Sequence, residues 1–241
     1  MSAEARPGAA GLPRNLCLFD LDHTLLPIDS DHAFGEFLVR VGWADAQEFR
    51  RGNDAFYAQY RAGRLDIDAY IEFTTAPWRH RSAEERRWLQ GRFVEEVVRP
   101  HLKPAALDLV RRHREAGDLI AIVTATNEFV TRPIAELFEV EHLLAVELER
   151  DETGTITGRI RGVPSYQAGK VTRVDQWLAS LGARWEDFER TSFYSDSPND
   201  LPLLERASDP VATNPTPALH KTAQERGWRI LKLFHDQEIH P

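Results

Sequence analysis

The chain has one cysteine, Cys17, and one methionine, Met1, among 241 residues. A lone thiol excludes an intrachain disulfide and any metal site built from several cysteines, and it points to a reducing compartment, so a cytoplasmic location is expected. Lysine is nearly as scarce: only four of the 30 basic residues are Lys and the other 26 are Arg. Positive charge is outnumbered by 38 Asp and Glu, giving a formal charge of -8. This balance argues against a nucleic-acid partner or an anionic membrane surface, so an anionic ligand has to be met by a few local cations or donors. No apolar run approaches the length of a membrane span. The Ala/Gly/Pro-rich start, residues 1–13, has no apolar stretch of the export-signal kind, so a disordered tail is expected there, with neither export nor anchoring. Internal repeats and low-complexity tracts are absent too. With 42% hydrophobic residues, the chain can bury one sizeable core, or one core and a smaller satellite.

Asn15-Leu-Cys-Leu-Phe-Asp20 is a short apolar run ending in an acid, the pattern of a buried strand whose carboxyl end reaches a polar site. From Pro27 to Pro100 the texture turns helical. Phe34, Phe37, Leu38 and Val41 mark one helix face, Phe49, Asn53, Phe56 and Tyr60 a second, and Ile67, Tyr70 and Ile71 a third. Ser82-Ala-Glu-Glu85 is a capping box that opens a fourth helix carrying Leu89, Phe93 and Val97. From Pro104 strands and helices alternate: a helix to Gly117, strand 119–124, helix 127–138, strand 142–148, a Thr153-Gly154 hairpin turn, and helix 168–181. Strands 191–196, 210–213 and 228–233 follow, separated by helices 201–207 and 217–226. The expected architecture is α/β: a doubly wound, mostly parallel sheet from 14–26 and 101–241, with residues 27–100 inserted as a helical cap domain.

In such a sheet, ligands sit outside the carboxyl ends of strands near the point where strand order reverses. Three strand ends carry polar chemistry: Asp20-Leu-Asp22-His-Thr24, Thr124-Ala-Thr126-Asn127 and Asp196-Ser-Pro-Asn199-Asp200. Asp20 and Asp22 are two apart, so in an extended segment both carboxylates face one side. With Asp196 and Asp200, four carboxylates gather at one mouth, and such crowding implies a divalent cation. Oxygen donors without a His or Cys cluster favour magnesium, which commonly keeps a phosphate oxygen in its shell, so a phosphorylated substrate follows.

Phe19-Asp-Leu-Asp22-His-Thr24, the Thr124 strand end, Gly169-Lys170 and Ser195-Asp-Ser-Pro-Asn-Asp200 resemble the four ordered motifs of the haloacid dehalogenase-like phosphohydrolases. The helical insert after the first motif and the Thr-Gly hairpin before Lys170 resemble the phosphoserine phosphatase-like branch. The resemblance covers about Asn15 to Leu233, the cap matching by position and helicity more than by letters. It implies that Asp20 is the nucleophile of an aspartyl-phosphate route and Asp22 the general acid and base. It further implies that Asp20, Asp196 and the Asp22 carbonyl bind magnesium, with Asn199 and Asp200 acting behind them. Thr124 and Lys170 are implied to meet the phosphoryl group. Asn127 also reads as a helix cap, which is compatible with phosphate nearby. Trp78, Arg79, Arg81, Arg86, Arg87 and Trp88 lie among acids and read as a solvated cap face, and His235 and His240 as tail residues.

The cap departs from the phosphoserine phosphatase pattern. The family's amine-binding Glu corresponds to Asp29, and an ungapped alignment from Gly63-Arg-Leu65 puts Thr74 where the family has an Arg for the substrate carboxylate, unless Arg79 or Arg81 replaces it. The resemblance therefore implies a small phosphorylated metabolite with an amine and no carboxylate: histidinol phosphate ahead of phosphoethanolamine, and both ahead of phosphoserine. The alternatives are a phosphoserine phosphatase, a phosphotransferase to an acceptor hydroxyl, and, in a different class, a non-catalytic binding or regulatory module.

Overall fold

The computed structural model describes residues 13–235. The tail expected over 1–13 therefore lies almost wholly outside the described residues, as does His240. Six strands form one parallel sheet: β1 (Asn15–Phe19), β2 (Leu119–Asn127), β3 (His142–Val146), β6 (Arg190–Ser195), β7 (Asp209–Thr213) and β8 (Arg229–Leu231), in the order β3-β2-β1-β6-β7-β8. The chain winds outward from β1 to β3 and then jumps back beside β1 to wind the other way, so order reverses between β1 and β6. β1 shows why both faces must be covered: Cys17 and Phe19 enter one apolar cluster, while Leu16 and Leu18 enter the other. Helices α6 (Pro104–Glu115) and α7 (Glu128–Leu137) contribute to the first cluster. The second is closed by α8 (Ala168–Ser180), α9 (Leu201–Arg206) and α10 (Pro217–Arg226).

Between β1 and α6 lie α1 (Ser30–Arg40), α2 (Ala46–Arg61), α3 (Ile67–Thr75) and α4 (Ala83–Phe93). Each starts on a side chain that accepts from its first-turn amides: Asp29, Asp45, Asp66 and Ser82, the last in a full capping box with Glu85. The fourth helix differs from its expected form. It widens into a π-turn over Val94–Val98 before a short α5 (Arg99–His101). Pro100 explains this, since it has no N–H to give Glu96 and its ring crowds that carbonyl. Trp78 is also not on a solvated face: it is fully buried and stacks on Phe129 of α7 with ring centroids 4.1 Å apart. The insert's apolar centre is thus continuous with the sheet's.

The run 142–148 is two strands rather than one. β3 pairs with β2, whereas β4 (Leu148–Arg150) turns away to pair antiparallel with β5 (Ile156–Ile160). Gly154 supplies the left-handed turn residue at φ +81°, and Asp151 Oδ1 accepts from the Thr153 and Thr155 amides.

Candidate active site

The carboxyl ends of β1, β2 and β6 meet at one mouth. The Asp20 amide donates to the Tyr194 carbonyl at 2.9 Å, so the end of β1 is pinned to β6. Thr24 Oγ1 donates to Asp20 Oδ2 at 3.0 Å and accepts from the Asp196 amide at 3.1 Å, stapling the two acids' segments together. Lys170 Nζ lies 2.8 Å from Asp20 Oδ1 and 2.7 Å from Asp200 Oδ1, with the side chain only 1% exposed. Ser195 Oγ donates to Asp200 Oδ2 at 2.7 Å. Lys170 reaches this place because α8 begins hard against the preceding loop: a Cβ at Gly169 would run into the Pro164 carbonyl oxygen. Burial opposes the Lys170 charge, but Asp20 and Asp200 outweigh it and hold the ammonium above its ordinary value. Burial pushes the Asp200 carboxyl up to about 6, with Lys170 pulling the other way. Burial and the charges of Asp20 and Asp200 raise Asp196 well above the usual carboxylate range.

Asp22 is held by two donors, the Ser30 amide to Oδ1 at 2.8 Å and Thr126 Oγ1 to Oδ2 at 2.9 Å. Burial, then Asp29 and Asp20, nevertheless raise its carboxyl well above the ordinary value. Thr124 Oγ1 accepts from the Thr126 amide at 3.1 Å, which leaves its own proton to donate. Asn214 carries the remaining support. Its Nδ2 donates to the carbonyls of His23 and Thr24, and its Oδ1 accepts from the Leu233 and Phe234 amides. Thr24 and Thr126 lie in the polar strand-end runs of the sequence without a role assigned to them there, and Asn214 lies outside those runs. The signal for Asn214 was available: Asn214-Pro215 follows β7, one more strand end at the same edge of the sheet.

The cavity in front of these residues is lined by Asp20, Asp22, Thr124 and Thr126 from the sheet side, and from the insert by Asp29, Asp31, His32, Asn53, Phe56, Tyr57, Tyr60, Leu65 and Tyr70. No Lys or Arg is among them. Asp29 sits where expected, but its Oδ1 also caps α1 by accepting from the Asp31 and His32 amides. Thr74 is buried one turn beyond Tyr70 and does not line the cavity. Neither do Arg79, packed under Gly158, and Arg81, paired with Glu85. Asn199 Nδ2 donates to the Tyr60 carbonyl at 2.9 Å, gripping the end of α2. Gln167 Nε2 grips the same end at the Gly63 carbonyl, 3.1 Å away.

Among the described residues no group of three His, Cys, Asp or Glu side chains is disposed to hold a metal unaided. The mouth does bring the Asp20 carboxylate and the Asp196 segment together through Thr24. Crowded oxygen donors without a His or Cys cluster suit a hard cation whose shell is completed by water or phosphate oxygens.

A family model for haloacid dehalogenase-like hydrolases matches residues 17–205. A histidinol-phosphatase of Neisseria meningitidis serogroup C (strain 8013) is 43% identical over 220 residues, covering 91% of this chain and 99% of the relative. Among solved structures, a protein of unknown function from Bordetella pertussis Tohama I superposes with a TM-score of 0.87 at 49% identity, over 92% of this chain and all of that one. A substrate-bound phosphoserine phosphatase shares the fold with a TM-score of 0.63 at 16% identity, over 90% of this chain and 91% of that one.

Proposed function

Because the chain belongs to the haloacid dehalogenase-like hydrolases and is a phosphomonoester hydrolase, we propose that Asp20 is its nucleophile and Asp22 its general acid and base. The observation that carries this reading is the buried Lys170 ammonium, 2.8 Å from Asp20 Oδ1 and anchored from behind by Asp200. A cation fixed there neutralises charge on a phosphoryl group presented to Asp20, and the Thr124 hydroxyl donates to one of its oxygens. Asp20 attacks phosphorus in line with the ester oxygen. The P–O ester bond breaks, and Asp22, whose burial favours the protonated form, gives its proton to the leaving alkoxide. Asp22 then takes a proton from the water that attacks the aspartyl-phosphate, releasing phosphate and regenerating Asp20. The Asp20 and Asp196 carboxylates and the Asp22 carbonyl are the residues that would hold magnesium, which when bound offsets the negative charge of phosphate and carboxylates.

For the substrate we propose an amine-bearing monophosphate without a carboxylate, with histidinol phosphate first. Two independent facts support it: the relative named histidinol-phosphatase covers nearly this whole chain, and the insert lines the cavity with Asp29, Asp31 and aromatic rings but with no Arg or Lys. A carboxylate there would be left without a cationic partner. A reducing, cytoplasmic setting is part of the same proposal and rests on Cys17, which is buried as a free thiol.

The test is phosphate release with magnesium from histidinol phosphate, phosphoethanolamine and phosphoserine, run beside the Asp20→Asn protein. The wild type is expected to rank them in that order and Asp20→Asn to release nothing while melting normally. Phosphoserine winning by about tenfold in kcat/KM, roughly 1.4 kcal/mol, would overturn the substrate reading, and turnover by Asp20→Asn the mechanism.

A further inference from the structure

Lys170 is delivered by a turn that its sequence does not suit. The Gly169 amide donates to the Tyr166 carbonyl at 2.9 Å, and the residue inside this turn, Gln167, has φ +48° and ψ −124°. Those are the angles of the first central position of a type II′ turn, where glycine dominates because a Cβ is strained there. A strained non-glycine residue persists only where its surroundings over-determine it. Here the side chain is what holds it. Gln167 Nε2 donates to the Gly63 carbonyl of the insert at 3.1 Å and to the Tyr166 hydroxyl at 3.1 Å. The main chain of the same residue serves α8: the Gln167 carbonyl accepts from the Lys170 amide at 3.1 Å. One residue therefore bonds both the insert and the segment that carries the buried ammonium. The gripped segment belongs to the cavity wall, since Tyr60 and Leu65, on either side of Gly63, both line the cavity. Beside the contact the Tyr60 and Tyr166 rings meet with centroids 6.1 Å apart.

We propose that Gln167 is a positioning residue that couples the seat of the insert to the placement of Lys170, its side chain fixing Gly63 and its carbonyl fixing the Lys170 amide. The Gly63 contact holds the strained turn, so the ammonium is set at Asp20 only while the insert is seated. Charge preorganised at the phosphoryl group acts on the transition state, so loosening it shows in kcat. The proposal rests on the reading of Lys170 as the cation that meets the phosphoryl group, and it is independent of which ester is preferred.

The experiment measures phosphate release with magnesium, on whichever of the three esters above the wild type turns over fastest, beside thermal melting. Gln167→Gly removes the grip and relieves the turn, whereas Gln167→Met keeps the strain and the length but cannot donate. Both variants are expected to lower kcat by about tenfold, with the Gly variant melting above the Met variant. A shared kinetic defect with divided melting temperatures is what positioning gives and a purely structural role does not. The proposal is overturned by a kcat within about twofold of wild type in either variant, or by a loss confined to KM, which places the effect at the cavity wall alone. It is equally overturned by a Gly variant that melts no higher than the Met variant, or by activity that follows melting temperature, with Gly active and Met impaired. Lys170→Met separates the two readings. If it keeps wild-type kcat, the role of Lys170 falls and takes this inference with it. If it is inactive while both Gln167 variants are normal, Gln167 alone is misassigned.

Discussion

Two carboxyls show how one environment serves different ends at the residue scale. Asp22 is raised by burial and by neighbouring acids, while Ser30 and Thr126 donate to its two oxygens and fix its orientation. Asp22→Asn is expected to lower kcat by roughly 10² to 10⁴; a steady-state assay with little change would remove Asp22 from the proton transfers. Thr126→Val should give a smaller loss, because it frees the acid without deleting it. Asp31 is pushed up to about 8 by burial and then by Asp29. A carboxyl raised above its unfolded value near 3.9 contributes stability that is complete below about pH 4 and is lost as pH rises toward 8. Asp31→Asn has no such titration. Its melting temperature should therefore gain on wild type between pH 5 and pH 8, at about 2–4 °C per kcal/mol for a chain of this size. Parallel melting curves across that range would contradict the assignment.

Elements matter here mainly through where they begin and what grips their ends. α8 starts at Gly169 against Pro164, and that start is what delivers Lys170 to Asp20. Gly169→Ala forces the loop or the helix to shift, with an expected cost of about 1–3 kcal/mol and a fall in turnover larger than the stability loss explains. A variant with full kcat would show that Lys170 tolerates displacement. The last turn of α2 is held from the sheet side by Asn199 and Gln167. The capping box at Ser82 instead serves the helix alone: Ser82→Ala should cost about 0.5–2 kcal/mol in a denaturant melt and leave kcat/KM where it was.

Over the whole molecule, the reversal of strand order between β1 and β6 gathers the acids at one mouth. Chelation is expected to stop phosphate release and magnesium to restore it, with calcium a poor substitute because of its larger, looser shell. Magnesium should also raise the melting temperature, by the equivalent of about 2.7 kcal/mol at a hundredfold excess over Kd. Full activity in chelator would remove the metal from the account. Trp78 joins the insert to α7 through its stack on Phe129. Trp78→Ala should therefore cost about 3–5 kcal/mol and, if insert and sheet share one core, leave a single unfolding transition; two separated transitions would show them to be independent units.

Local rules were enough for much of this protein. Asp20 and Asp22 at the end of an apolar run, Ser82 with Glu85, Gly154 in its turn and the alternation after Pro104 are each decided within a few residues, because propensity, capping and strand period act over that range. The sequence likewise carried the motif order that predicts acids and Lys170 at a common mouth. It did not carry the roles that depend on distant neighbours. Thr24, Thr126 and Asn214 support the acids through bonds spanning up to 191 residues, and Asn199 turns to Tyr60 because α2 ends beside it. The cavity's character was hidden for the same reason. Phe56, Tyr57 and Tyr70 are ordinary helix residues until three helices converge on the sheet, and Asp31 is an ordinary first-turn acid until that convergence buries it without a cation. Periodicity tells which side of a helix is apolar, but only the packed structure decides which buried polar groups are left for a ligand to satisfy.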